Sequence, residues 1–230
     1  MKGKLIVIEG TDCSGKETQS KLLVERLKKE GHQVFSMPFP RYDTPTGAII
    51  GGPLLGKSYI CDSFFKDEAP RVDGRVASLY YAADRFYNVK PIIENLENGV
   101  TVILDRWTQS NMAFQGAKFE NSEDRLKMYK FIESLEYDLL GLPKPDGVIF
   151  LHLPYENAKI LRKSREEKLD KVESDDKYLK DGERAYLELA DLYGFKTVEC
   201  ALGTGIRTIN DIHEEVYRKV MELIDGEENC

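Results

Sequence analysis

The sequence predicts an α/β fold, a sheet of about five parallel strands with helices on both faces, and three observations predict it. Short β-branched runs recur, each bounded by Gly, Pro or Asp. The stretches between them carry helical periodicity and are too long for hairpins, which makes the strands parallel with right-handed crossovers. Finally, the first apolar run, Leu5-Ile6-Val7-Ile8, passes directly into the glycine-rich turn Gly10-Thr11-Asp12-Cys13-Ser14-Gly15-Lys16-Glu17-Thr18 and then into an amphipathic segment.

That strand-turn-helix unit reads as a phosphate-binding loop. Its glycines let the backbone curl round an anion, so that successive N–H groups and the positive helix end face phosphate oxygens. Lys16 is expected to reach the terminal phosphates. A Ser or Thr usually follows the lysine to put a hydroxyl on Mg²⁺; here Glu17 does, and the hydroxyl falls to Thr18.

The first helix spans about 16–30, with Leu22, Leu23, Val24 and Leu27 on its apolar face, and Gly31 ends it. Gln33 to Met37 reads as the second strand and runs into Phe39-Pro40-Arg41-Tyr42. Residues 43–70 mix Gly, Pro and polar residues, with short helical pieces expected near Ile49-Ile50 and Ser63–Phe65, and should fold over a site. From Val76 to Asn98 the pattern is helical, with Leu79, Ala82, Ala83, Phe86, Val89, Ile92, Ile93 and Leu96 on the expected core face and a break near Pro91. Val100–Leu104 is the third strand and ends in Asp105-Arg106-Trp107. A polar stretch follows, then a helix from Asn121 to Leu140, then a strand over Gly147–Leu153. The charged segment 156–180 reads as a solvated helix face or a lid. A helix over Arg184–Tyr193, a strand over Lys196–Cys200 and a helix over Ile209–Ile224 complete the chain.

The 230 residues, 41% of them hydrophobic, suffice for one sizeable core, so residues 1–230 are expected to form one domain. A net charge of −7 argues against nucleic acid held by bulk charge but allows a small anion in a local basic pocket. The four cysteines, Cys13, Cys61, Cys200 and Cys230, show no Cys-x-x-Cys pairing, so neither a zinc site nor a disulfide framework is expected and a reducing cytoplasm fits. Residues 1–9 hold a strand where a leader would carry a long apolar run, and no run is long enough to span a bilayer; we expect a soluble cytoplasmic protein without membrane partners.

In open parallel sheets, ligands bind beyond the carboxyl ends of the strands. Strand one delivers the loop there, strand two Phe39 and Arg41, strand three Asp105 and Arg106, and strand four the charged segment. Cations, an acid and aromatics on one rim suit transfer between two phosphates, where cations must hold two repelling anions in line and no strong base is needed. On the residues alone, Arg85 and Arg106 read equally well as structural partners of Asp84 and Asp105. Asp105 reads either as a Mg²⁺-linked acid or as an anchor for Arg106.

The run Asp105-Arg106-Trp107-Thr108-Gln109-Ser110-Asn111-Met112-Ala113-Phe114-Gln115-Gly116 resembles the Asp-Arg-Tyr…Ser…Ala-Tyr/Phe-Gln-Gly signature of thymidylate kinases. Leu79-Tyr80-Tyr81-Ala82-Ala83-Asp84-Arg85, Phe39-Pro40-Arg41 and Gly141-Leu142-Pro143-Lys144-Pro145-Asp146 are similar to further stretches of that family, in the same order from residue 3 to about 220. The resemblance implies a P-loop NTPase-type three-layer sandwich with a lid over about 156–180, a homodimer, and transfer of the γ-phosphoryl group of MgATP to dTMP. It also implies roles. Gly10 to Thr18, with Lys16, hold the ATP phosphates, and Asp12 lies near the acceptor sugar or a Mg²⁺-bound water. Asp12, Thr18 and Asp105 are the metal candidates. Arg41, Arg85 and Arg106 surround the acceptor phosphate and base edge, Phe39 is a further substrate-binding candidate, and Tyr81 stacks on thymine. Ser110, Asn111 and Gln115 contact the base, and Phe114 crowds the 2′ position. The family places a catalytic arginine in the loop or in the lid; since Cys13 occupies the loop position, the duty falls to Arg165, or next to Arg162. Another nucleoside monophosphate kinase, or a nucleotide-binding module without catalysis, stands as the alternative.

Overall fold

The computed structural model describes residues 2–65, 69–163, 175–203 and 205–226. Strands β1 (Leu5–Gly10), β2 (Val34–Pro38), β3 (Thr101–Asp105), β4 (Gly147–His152) and β5 (Lys196–Glu199) form one parallel sheet in the order β2-β3-β1-β4-β5. Side chains alternate across a strand, so β1 feeds two cores. Ile6 and Ile8 pack with Leu23 and Leu27 of α1 (Lys16–Lys29) and with Val216 and Val220 of α9 (Ile209–Asp225). Leu5 and Val7 pack on the other face with Ile92, Leu96 and Trp107. Helices on both faces of the parallel sheet make the three layers expected.

Between β2 and β3 run α2 (Pro45–Ile49), a π-helical turn over Ile50–Leu54, a short 3₁₀ turn, α3 (Gly74–Asn88) and α4 (Lys90–Glu97). Ser63–Phe65 is not helical. The break between α3 and α4 falls at Val89, and Pro91 sits in the first turn of α4, where its missing N–H costs nothing.

Helix α3 inverts its expected orientation. Leu79, Ala83 and Phe86 are exposed, and the buried positions are Gly74, Ala77, Ser78, Ala82, Asp84 and Arg85. The polar stretch after β3 is also a helix, α5 (Thr108–Gly116), nearly all of it buried. Hydrophobic patterning missed it because many of the groups it buries are polar and are held by hydrogen bonds to Glu9, Glu136 and Tyr137 on other elements.

Helix α6 (Ser122–Glu133) continues as a π-helical segment, Ser134–Leu139, before β4. Beyond β4 come α7 (Tyr155–Lys163) and α8 (Asp176–Tyr193). Residues 176–180 of the expected lid are therefore the first turns of α8, which starts earlier than the sequence suggested because Asp175 caps it by accepting Tyr178 N–H. A short hairpin, β6 (Ala201–Leu202) with β7 (Gly205–Ile206), precedes α9 and was not anticipated.

Candidate active site

The turn after β1 is shaped for close approach. A Cβ at Gly10 would lie 2.5 Å from Ser14 Oγ and 2.8 Å from the Leu151 carbonyl oxygen, so only glycine fits. Cys13 (φ 56°) and Gly15 (φ 79°) both adopt left-handed backbone, which turns consecutive N–H groups inward as an anion nest. The loop is fastened to β4: Thr11 Oγ1 donates to the Leu153 carbonyl at 2.8 Å and accepts Leu153 N–H at 2.9 Å. Ser14 Oγ is buried without a hydrogen-bond partner among the described residues.

Lys16 folds back over this loop, donating from Nζ to the Thr11 carbonyl at 2.8 Å. Burial, then the neighbouring Arg106, pushes its pKa down to about 8. An anion in the loop would remove much of that penalty. The Glu17 carboxylate takes no part, being exposed and paired with Lys21 at 2.6 Å on the outer face of α1. Thr18 is likewise exposed.

At the end of β3, Ile8 is in register with Asp105, which brings Asp105 and Arg106 beside the loop. Arg106 has φ 69°, a backbone state that costs a non-glycine residue energy and is often found at functional sites. Its Nη1 donates to Ser110 Oγ at 3.0 Å and to Tyr186 Oη at 3.2 Å, and lies 4.0 Å from Glu9 Oε2. Burial opposes its charge, but Tyr186, Glu9 and Asp105 outweigh that and hold it more firmly protonated than usual.

Glu9 is the hub of this end of the site. Wholly buried, it accepts Trp107 N–H, Ser110 N–H, Ser110 Oγ and Tyr186 Oη, at 2.6–3.0 Å. In doing so it caps the N-terminus of α5 from another strand. The anchor of Arg106 is therefore Glu9, and Asp105 acts on it through charge alone. Asp105 Oδ1 is buried and has no hydrogen-bond partner among the described residues; burial pushes its carboxyl up against the pull of Arg106 and Lys16. An oxygen so placed fits a water or metal-bound water at the loop. No cluster of His, Cys, Asp and Glu among the described residues could enclose a metal ion by itself.

From the loop a pocket of about 250 Å³ runs inward, lined by Asp12 and Arg106 together with Phe39, Tyr81, Arg85, Asn111, Phe114 and Gln115. Phe114 stands edge-on to Tyr186, with the Arg106 guanidinium 5.4 Å from its ring centre. Arg85 does not pair with Asp84. It lies in a bidentate ion pair with Glu136, Nε–Oε2 2.5 Å and Nη2–Oε1 2.6 Å, with both side chains buried. Asp84 instead accepts from Arg41 N–H, Thr46 Oγ1 and Asn88 Nδ2. Asn111 Oδ1 and Gln115 Oε1 are buried acceptors without partners among the described residues.

Helix α7 brings a cation to the loop from the other side. Arg162, nearly all buried, places Nε 3.5 Å from Asp12 Oδ2 and Nη2 3.3 Å from Asp176 Oδ1, over the ring of Tyr155. Arg165 lies outside the described residues, as does the middle of the expected lid.

Of the expected acceptor-site residues, Phe39, Tyr81, Arg85, Arg106, Ser110, Asn111, Phe114 and Gln115 line one pocket. The Arg41 side chain does not join them; it pairs with Asp43 at 2.7 Å. Sequence reasoning missed Glu9, Glu136, Tyr178, Tyr186 and Lys118. Tyr178 and Lys118 line the pocket, and burial pushes the Lys118 pKa down to about 8. A charge ending the apolar run of β1 was a visible hint for Glu9. Glu136 left no such signal.

A family model described as thymidylate kinase matches residues 8–216. The chain is similar to a thymidylate kinase of Schizosaccharomyces pombe, 31% identical over 96% of this chain and 93% of the relative. A probable thymidylate kinase of Pyrococcus abyssi is 30% identical over 98% and 100%. Among solved structures, thymidylate kinase from Candida albicans superposes with a TM-score of 0.66 at 26% identity, over 99% of this chain and 93% of that one.

Proposed function

The chain belongs to the thymidylate kinase family, and we propose from this and the site that it transfers the γ-phosphoryl group of ATP to dTMP, giving ADP and dTDP. The observation that carries this reading is one pocket lined at once by Asp12 of the phosphate loop, by Arg106, and by an aromatic and amide-lined recess fit for a base. ATP phosphates occupy the loop under Lys16. The acceptor phosphate meets Arg106, and its base lies between Tyr81 and Phe114. The free acceptors Asn111 Oδ1 and Gln115 Oε1 suit a base carrying an N–H, and Arg85, its charge balanced by Glu136, suits a base carbonyl better than a phosphate.

The acceptor phosphate is already ionised, so no strong general base is required; catalysis is alignment plus neutralisation of developing charge. Lys16, Arg106 and Arg162 supply that charge from three sides, with Arg162 taking the part the loop's Cys13 leaves open. Mg²⁺, when bound with ATP, neutralises phosphate oxygens; Asp105 and Asp12 would hold its waters, and the exposed Thr18 is the weakest of the three candidates. Cys13, Cys61 and Cys200 form no disulfide among the described residues, in keeping with a reducing cytoplasm, and no described helix is long and apolar enough to cross a membrane. We read the chain as one domain that pairs through α3, whose outward Leu79, Phe86 and Tyr87 form a hydrophobic face suited to a second copy. The test is ADP release from MgATP across the common nucleoside monophosphates, which dTMP should stimulate most.

A further inference from the structure

The inner end of the acceptor pocket is organised by a carboxylate that does not line it. Glu136 has no exposed surface and sits in the π-helical segment Ser134–Leu139, an irregularity that often marks functional sites. It accepts four hydrogen bonds: two from Arg85, one from Thr108 Oγ1 at 2.8 Å and one from Asn111 Nδ2 at 2.8 Å. A buried carboxylate is costly unless fully satisfied, and this one is satisfied by groups from α3 and α5 only.

Two consequences follow for the pocket. Glu136 occupies the Arg85 Nε–H and one N–H of Nη2, which fixes the guanidinium plane and leaves both N–H groups of Nη1 and the second of Nη2 as donors not used within the described residues. It also sets the amide of Asn111. Turning that amide over would bring Oδ1 against a carboxylate oxygen at 2.8 Å, acceptor against acceptor, so the NH₂ must face Glu136 and Oδ1 is the atom left without a partner.

We propose that Glu136 is a positioning residue for acceptor selectivity. It fixes Arg85 as a donor and Asn111 as an acceptor, an edge complementary to a carbonyl beside an imide N–H. The amino group and unprotonated ring nitrogen of a cytosine-type base would meet donor with donor and acceptor with acceptor. The inference rests on the pocket being the nucleotide-acceptor site.

The test is steady-state kinetics of wild type and Glu136→Gln with dTMP, UMP, dCMP and CMP, alongside KM for ATP. The variant should raise KM for the carbonyl-edge acceptors about tenfold or more, leave KM for ATP within about twofold, and lower the preference for carbonyl-edge over amino-edge acceptors by about tenfold. An unchanged preference would overturn the proposal and leave Glu136 a structural ion-pair partner. If Glu136→Gln loses its cooperative melt, Glu136→Asp, which keeps the charge but withdraws it, is read for the same ratio with the same two outcomes. The wild-type acceptor ranking separately judges dTMP as substrate. Should another acceptor win, the carbonyl-to-amino ratio still reads the role of Glu136.

Discussion

Lys16 and Arg106 are two cations held close together and partly desolvated before any phosphate arrives, and the Lys16 pKa records the tension. Burial and Arg106 lower Lys16 to about 8, so in the free protein it deprotonates as pH rises through that value, and phosphates in the loop must restore the proton. Nucleotide binding near pH 8.5 should therefore take up protons, visible as a buffer-dependent enthalpy in calorimetry, and Lys16→Met should abolish the uptake. For Glu17, whose carboxylate is spent on Lys21, Glu17→Ser should leave the Mg²⁺ dependence of the rate unchanged; a lowered requirement would mean the carboxylate reaches the metal. Arg162→Ala should lower kcat by about 10²-fold or more while KM for dTMP changes little, as expected for charge felt mainly in the transition state. At this scale the sequence was informative about position wherever a residue belongs to a motif: Lys16 lies on the loop, and Arg106 and Asn111 line the pocket. It was silent on Glu136, because a carboxylate in a helical stretch reads as a solvated group until the fold buries it beside Arg85.

Among the elements, α3 departs furthest from its pattern. Apolar periodicity marked Leu79 and Phe86 as core, yet the core face carries Arg85 and Asp84, and the apolar face points outward. Periodicity finds the stripe but not what covers it. If that cover is a second copy, Phe86→Asp should convert a dimer to a monomer in sedimentation velocity while the melt stays cooperative; an unchanged sedimentation coefficient would remove α3 from the interface. The tie between β4, β5 and α8 depends on pH. His152 Nδ1 lies 2.8 Å from Glu199 Oε2 and Nε2 lies 2.8 Å from Glu183 Oε1, so both ring nitrogens must carry protons to satisfy two carboxylates. Burial opposes that charge, but the two glutamates prevail and raise the His152 pKa. The resulting stability is complete below the unfolded value of about 6.5 and is lost as pH rises through the higher folded value. Melts of wild type and His152→Gln should thus differ most at acid pH and converge above the folded pKa. Helix α5 escaped the sequence for a related reason: its buried Thr108, Ser110 and Asn111 are polar and donate to Glu9 or Glu136 on other elements, an arrangement hydrophobic patterning does not register.

For the whole molecule, the parallel sheet and its rim were legible, because β-branched runs and the loop motif fix where the strands end and ligands gather at those ends. What local pattern does not encode is the pairing of two pocket arginines with buried glutamates from distant elements: Glu9 with Arg106, and Glu136 with Arg85. These pairs hold two guanidinium groups in place at the pocket of a chain of net charge −7. In the proposed reading they divide the pocket into an end for phosphate, at Arg106, and an end for a base, at Arg85. The most direct test of that account is ADP release from MgATP by the purified protein with dTMP, UMP, CMP or AMP as the only acceptor. The account predicts the highest kcat/KM with dTMP; faster turnover of AMP, UMP or CMP, or ATP binding with no dTDP formed, would contradict it.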